Sequence, residues 1–179
     1  MKYFKSLVFC FLVIPAFTIS AQIHQLKEIS LFEDKLQIKV PIDFEVMTEE
    51  LLKIKYPLSR RPTLAYSNEK GNINVAFNLT PSPANQELIE TYKNTFVKTF
   101  KSFYPSAEWK DQGIRNVNGQ NVGYLELITP AADTNIYNLI FFTNLNDKLL
   151  LCTFNCSEEI LPEWKSTAAE IMNSLNVKK

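Results

Sequence analysis

The sequence predicts an α+β domain in which helices cover an antiparallel β-sheet. Three observations carry that prediction. Apolar and polar residues alternate over several separate short stretches, from Leu36-Gln37-Ile38-Lys39-Val40 onward. Short turn sequences such as Asn118-Gly119 join neighbouring stretches and send the chain back antiparallel. Only two long segments carry a helical period, one ending near Tyr104 and one near the C-terminus.

The chain starts with Lys2 and Lys5, then an apolar run from Leu7 to Ile14, then Pro15 and the small residues Ser20-Ala21. This order reads as a secretory signal peptide over residues 1–21, cleaved after Ala21. The apolar run falls short of the ~20 residues of a spanning helix, so no transmembrane segment is expected after cleavage. Cys10 sits inside the apolar core behind Phe9, whereas a lipidated cysteine ends that core, so no lipid anchor is read. The expected compartment is the periplasm or exterior of a bacterium, Gram-negative by the look of the signal.

Residues 22–34 form a polar lead-in without a clear period, in which Ile29, Leu31 and Phe32 are able to add an edge strand. A single domain is read over residues 35–177. Leu36, Ile38 and Val40 share one face of a half-buried strand, and Asp43 to Val46 continues extended after Pro41. Thr48 caps a short helix with Glu49 and Glu50 in its first turn, and Tyr56-Pro57 ends it. Thr63–Tyr66 and Asn74–Leu79 read as a hairpin around the turn residues 68–72. Ser82-Pro83 is expected to open a long helix whose face is Leu88, Tyr92, Phe96, Phe100 and Phe103, with Ile89 beside it. Tyr104-Pro105 stops that helix.

Two short strands are expected at Glu108–Lys110 and Ile114–Asn116, then a hairpin turn at Asn118-Gly119 and an alternating strand from Val122 to Leu127. Asn135–Thr143 and Lys148–Asn155 make two more strands. Their near-continuous apolar residues, Ile140-Phe141-Phe142 and Leu149-Leu150-Leu151, predict a sheet covered on both faces. Pro162 suits the first turn of a closing helix with Trp164, Ala168, Ile171, Met172 and Leu175 on one face.

Composition narrows the functional classes. The 179 residues carry 19 Lys+Arg and 19 Asp+Glu, a formal net charge of zero, and removing Lys2 and Lys5 leaves the mature chain slightly acidic. A chain without a basic surplus is a poor match to general nucleic-acid binding. A lone histidine, His24 in the lead-in, excludes a multi-histidine metal site. No cofactor is expected.

The stretches "LQIKVPIDFEV", "NVNGQNVGYLEL", "YNLIFFTNLNDKLLLCTFNC" and "EWKSTAAEIMNSL", in this order of elements, resemble the PsbP/Mog1/DcrB-like superfamily. The resemblance runs from about Lys35 to Val177. It implies an α-β-α sandwich and a tendency towards non-enzymatic binding, in roles as different as photosystem assembly, small-GTPase binding and envelope maintenance. It supplies no functional residues to carry over.

Candidate chemistry is sparse. Cys152 and Cys156 point to the same face of one strand about 13 Å apart, beyond the ~7 Å a disulfide spans. Two buried thiols, a local disulfide across a bend at Asn155 and a redox pair are the readings. Ser67-Asn-Glu-Lys70 matches the S-x-x-K of serine enzymes, but it falls in a hairpin turn and not at the start of a helix. The sequons at Asn78 and Asn155 read as accidental. The cations Lys53, Lys55, Arg60 and Arg61, with Tyr56 among them, form a candidate partner or anion patch. A secreted, non-enzymatic binding or envelope-assembly module follows, with a protein or envelope component as its partner. The alternative is a carboxylate-dependent hydrolase, which requires a concave pocket holding at least two acids with perturbed pKa values.

Overall fold

The computed structural model describes residues 24–57 and 61–178; residues 1–21, read from sequence as a signal peptide, and Arg60 lie outside the described residues. In chain order these form β1 (Leu26–Leu31), β2 (Leu36–Pro41), β3 (Glu45–Val46), α1 (Glu49–Lys55), β4 (Leu64–Ser67), β5 (Asn74–Pro83), α2 (Ile89–Phe103), β6 (Glu108–Val117), β7 (Gln120–Pro130), β8 (Asn135–Leu145), β9 (Lys148–Ser157), α3 (Leu161–Asn173) and β10 (Asn176–Val177). Seven strands make one antiparallel sheet in the order β3-β4-β5-β9-β8-β7-β6. A smaller antiparallel sheet has the order β1-β2-β10. The predicted α+β fold, an antiparallel sheet between covering layers, is therefore present.

The side-chain alternation of β5, β8 and β9 sends adjacent residues into different cores. Val75, Phe77, Phe141, Cys152 and Phe154 pack with β2 (Leu36, Ile38, Val40) and α3 (Trp164, Ala168, Ile171, Met172). Leu125, Leu127, Ile140, Phe142 and Leu149 pack instead under Tyr92, Phe96 and Phe100 of α2. A third, small cluster joins Met47, Ala65 and Ala76 to Leu51, Leu52 and Tyr56 of α1. The face bearing Ala76, Ile140 and Phe142 thus carries two separate helices, each over part of it. On the other face the small sheet and α3 share one core.

Two tight turns follow from their residues. Asn118 and Gly119 take φ of 48° and 82°, and Asn146 and Asp147 take 50° and 57°, the doubly left-handed geometry that suits a two-residue hairpin. The second is tighter than the four-residue link read from sequence, because β8 runs on to Leu145.

Other expectations need correction. The stretches Glu108–Lys110 and Ile114–Asn116 belong to one strand, β6, whose register slips at Lys110 between Trp109 and Asp111. The bulge breaks the alternation and hides the continuity. The cap predicted at Ser82-Pro83 is not used, because β5 continues through Pro83. Asn85 caps instead: its side-chain oxygen accepts from the N–H groups of Glu87 (3.1 Å) and Leu88 (3.0 Å), and one 3₁₀ turn leads into α2. That tighter turn rotates Leu88 off the packed face, where it is 38% exposed, and Ile89 takes its place, fully buried. Phe103, in the last turn, is 75% exposed.

Part of the polar lead-in is a strand. β1 pairs with β2 along its whole length, and its apolar period is weak because only Leu31 is buried. Just ahead of it, His24 stacks on Trp164 with ring centroids 3.8 Å apart, and its backbone N–H donates to Thr167 Oγ1 at 3.0 Å. At the other end β10 closes the small sheet beside β2, a strand too short to leave a pattern in the sequence.

Candidate functional site

The two helices on the Ala76–Ile140 face do not meet over it. Between the C-terminal ends of α1 and α2 lies a groove of about 380 Å³. Its walls are Tyr56 and Pro62 on one side and Phe100 and Tyr104 on the other. Its floor is the outward row of three neighbouring strands: Ala76 and Asn78 of β5, Leu151, Thr153 and Asn155 of β9, and Asn138 and Ile140 of β8.

Each wall is set by a local feature of the sequence. Tyr56 and Tyr104 both follow the last residue of their helix, both precede a proline, and both donate their backbone N–H to the helix's last turn, to Leu52 and Phe100 at 2.8 Å. A residue before proline avoids the helical region, so each tyrosine marks the helix end. Tyr56 is anchored by its hydroxyl, which donates to Asn74 Oδ1 at 3.2 Å, and burial raises its pKa. Tyr104, 43% exposed, lies beside Phe100 with centroids 5.8 Å apart and an angle of 27° between the rings.

The floor is a pre-formed polar network. Asn155 and Asn138 face each other across β9 and β8, and Asn155 Nδ2 donates to Asn138 Oδ1 at 2.6 Å. Asn138 Nδ2 donates in turn to Thr129 Oγ1 (3.0 Å) and to the Ile136 carbonyl (2.8 Å). Thr63 Oγ1 donates to Asn78 Oδ1 at 3.3 Å. These bonds fix the amide orientations before any ligand arrives. Among the described residues, no side chain lining the groove carries a formal charge at neutral pH.

The predicted cationic patch is spread out. Lys53 is exposed on α1. The Lys55 ammonium turns to the β4–β5 turn and donates to the Gly71 carbonyl at 2.7 Å; burial lowers its pKa to about 8, against a smaller upward pull from Cys156. Arg61 Nε donates to the Tyr56 carbonyl at 3.3 Å, and its guanidinium lies 3.6 Å from Glu49. The structure brings Arg61 to Tyr56 and directs Lys55 elsewhere.

Cys152 and Cys156 are buried and unbonded in β9. Burial raises both thiols, Cys156 to about 12 and Cys152 further still. Ser67 is buried at the end of β4 and Lys70 is exposed in the following turn, so the S-x-x-K spacing places no lysine above the serine. Asp43, Glu45 and Glu69 line a second cavity of about 260 Å³ near Met47 and Leu51, and all three are exposed. Among the described residues no group of three or more His, Cys, Asp or Glu is arranged to hold a metal, and no helix is long and apolar enough to cross a membrane.

Of the groove residues, the sequence marks Tyr56 within the cation patch, and Asn78 and Asn155 only as accidental sequons. Phe100 reads as helix core, and Asn138 and Thr153 as ordinary strand residues. The available signal was polar residues on the row that carries Ile140 and Leu151, in strands otherwise apolar.

No family model and no curated protein matches the sequence. The fold, however, is shared with solved structures. The cyanobacterial PsbP (CyanoP) of Synechocystis superposes with a TM-score of 0.62 over 92% of this chain and 97% of that one, at 16% identity. LpqN of Mycobacterium tuberculosis, described as involved in cell envelope biogenesis, gives 0.52 over 87% and 91%, at 9% identity. A protein of Bacteroides thetaiotaomicron gives 0.56 at 11% identity; the match covers 86% of this chain and 48% of that one. The fold is thus one that this chain shares with the cyanobacterial PsbP and LpqN structures. At these identities the likeness is one of architecture, and it assigns no residue a role.

Proposed function

We propose that the protein is an exported, non-enzymatic binding module of the bacterial envelope, and that its binding surface is the groove between α1 and α2. The observation that carries this reading is the groove itself: aromatic walls over a polar floor whose hydrogen bonds are already in place. The signal-like N-terminus supports export, and the likeness to LpqN is in keeping with an envelope role. In this reading Arg61 positions Tyr56 through its carbonyl.

Two measurements test it. Cell fractionation of the producing bacterium is expected to place the chain in the envelope fractions, and a purely cytoplasmic chain sinks the export reading. Capture of envelope components by the purified protein is expected to fail for Tyr104→Ala while the circular dichroism spectrum stays unchanged. Equal capture by both proteins excludes the groove as the site.

A further inference from the structure

We infer that the groove takes a neutral oligosaccharide, whose ring faces lie on Tyr104 and Phe100 and whose hydroxyls bond the amide floor. The inference rests on the groove being the binding surface and names the ligand class. Three observations lead to it.

The first is charge. The lining residues are Tyr, Phe, Pro, Asn, Thr and aliphatic side chains. A site built for a phosphate, a uronate or an acidic peptide places at least one cation where the anion sits. Among the described residues, the cations on either side of Tyr56 are engaged elsewhere, Lys55 with Gly71 and Arg61 with the Tyr56 carbonyl and Glu49. The second is the kind of polar atom on offer. Among the described residues no hydrogen bond engages Asn155 Oδ1, Asn78 Nδ2 or Thr153 Oγ1. Together they supply donors and acceptors side by side, which is what a hydroxyl, itself both donor and acceptor, requires. The third is shape. A sugar ring has an apolar face of C–H bonds and a polar edge of hydroxyls, so it matches a site whose walls are aromatic and whose floor is amide. Three strands wide, and three alternate residues long on β9 with two on each flanking strand, the floor measures at most about 10 by 13 Å, a footprint of roughly two rings. A peptide in extended form would look for unpaired backbone groups, and the β8, β9 and β5 backbones are already paired with one another.

The test uses the chain lacking residues 1–21 and three neutral probes: maltotriose, cellotriose and N,N′,N″-triacetylchitotriose. At least one is expected to shift the amide resonances of Asn138, Thr153 and Asn155. Tyr104→Ala is expected to weaken that probe at least about tenfold, while Tyr104→Phe keeps the ring and retains binding. Thr153→Val preserves shape, removes only the hydroxyl and is expected to weaken it severalfold. The inference is overturned if none of the three probes shifts these resonances, if Tyr104→Ala binds as tightly, or if trigalacturonic acid outcompetes every neutral probe. Should the probes fail while Tyr104→Ala still loses envelope capture, the saccharide falls and the groove remains the binding surface. Should capture also be unaffected, both readings fall.

Discussion

The two faces of the seven-stranded sheet are made by the same strands and finished in different ways. On one face the β1-β2-β10 sheet and α3 close over Val75, Phe77, Phe141, Cys152 and Phe154, and Trp164 lies against His24, Phe44 and Phe154. On the other, α2 covers Leu125, Leu127, Ile140 and Phe142, α1 covers Ala65 and Ala76, and the strip between them stays open. Alternation along β9 shows how one strand serves both: Cys152, Phe154 and Cys156 are buried, while Leu151, Thr153 and Asn155 reach the groove. The closed face supplies stability, and that frees the residues of the open strip from packing. A polar ladder such as Asn138–Asn155 is tolerable there because its amides bond one another and the remaining polar atoms face the groove.

The comparison can be broken most severely at Trp164. Replacing it by alanine opens a cavity under three aromatic neighbours and is expected to cost about 3–5 kcal/mol, read from urea unfolding. A loss below ~1 kcal/mol would show that α3 does not seal that face. Next comes Gly123 on β7. A Cβ there would lie 2.4 Å from the Phe142 ring, which is held from above by Phe96 at 5.0 Å, so Gly123→Ala is expected to cost about 1–3 kcal/mol. An unchanged melting temperature would mean that α2 yields easily and that the covered half of the open face is itself soft.

Alkaline pH probes the closed face without mutation. The ordinary thiol pKa is 9.0, and folding holds Cys156 at about 12. Above about pH 9 the unfolded chain therefore binds fewer protons than the folded one, and stability falls by at most about 1.4 kcal/mol per pH unit for each buried thiol. Lys55 acts with the opposite sign: its folded pKa of about 8 lies below its ordinary 10.5, so between those values the unfolded chain binds more protons and stability rises with pH. Lys55→Met is therefore expected to steepen the alkaline decline, and Cys152→Ala/Cys156→Ala to flatten it. A decline that ignores both changes assigns the alkaline limit to other groups. The smallest effect belongs to the open strip. Tyr104→Ala is expected to change stability by no more than about 0.5 kcal/mol; a larger loss would make Tyr104 part of the core and not a wall.

These contrasts also explain what could be read from sequence. The strands β7, β8 and β9, the turn at Asn118-Gly119 and the buried face of α3 follow from local alternation, turn chemistry and period, so they were legible. The start of α2 was not, because Ser82-Pro83 and Asn85 are both plausible caps and only the pairing of β5 with Lys148 through Pro83 decides between them. β1 was legible only as a possible edge strand around Ile29–Phe32, and its full extent, Leu26–Leu31, was not, because an edge strand of a small sheet buries little. The groove was least legible of all. Its floor joins residues of β5, β8 and β9 that are neighbours only through the sheet register. Its emptiness depends on where two helices stop.

Strand β6 ends the sheet with ten residues that pair on one side only. Such an edge invites another chain to add a strand. Here the register is broken at Lys110, Lys110 is paired to Glu108, and Arg115 lies over the Tyr124 ring and within 3.7 Å of Asp111. An incoming strand would meet a bulge and a row of charges already satisfied. At this edge, addition of a strand from a neighbouring copy is therefore disfavoured.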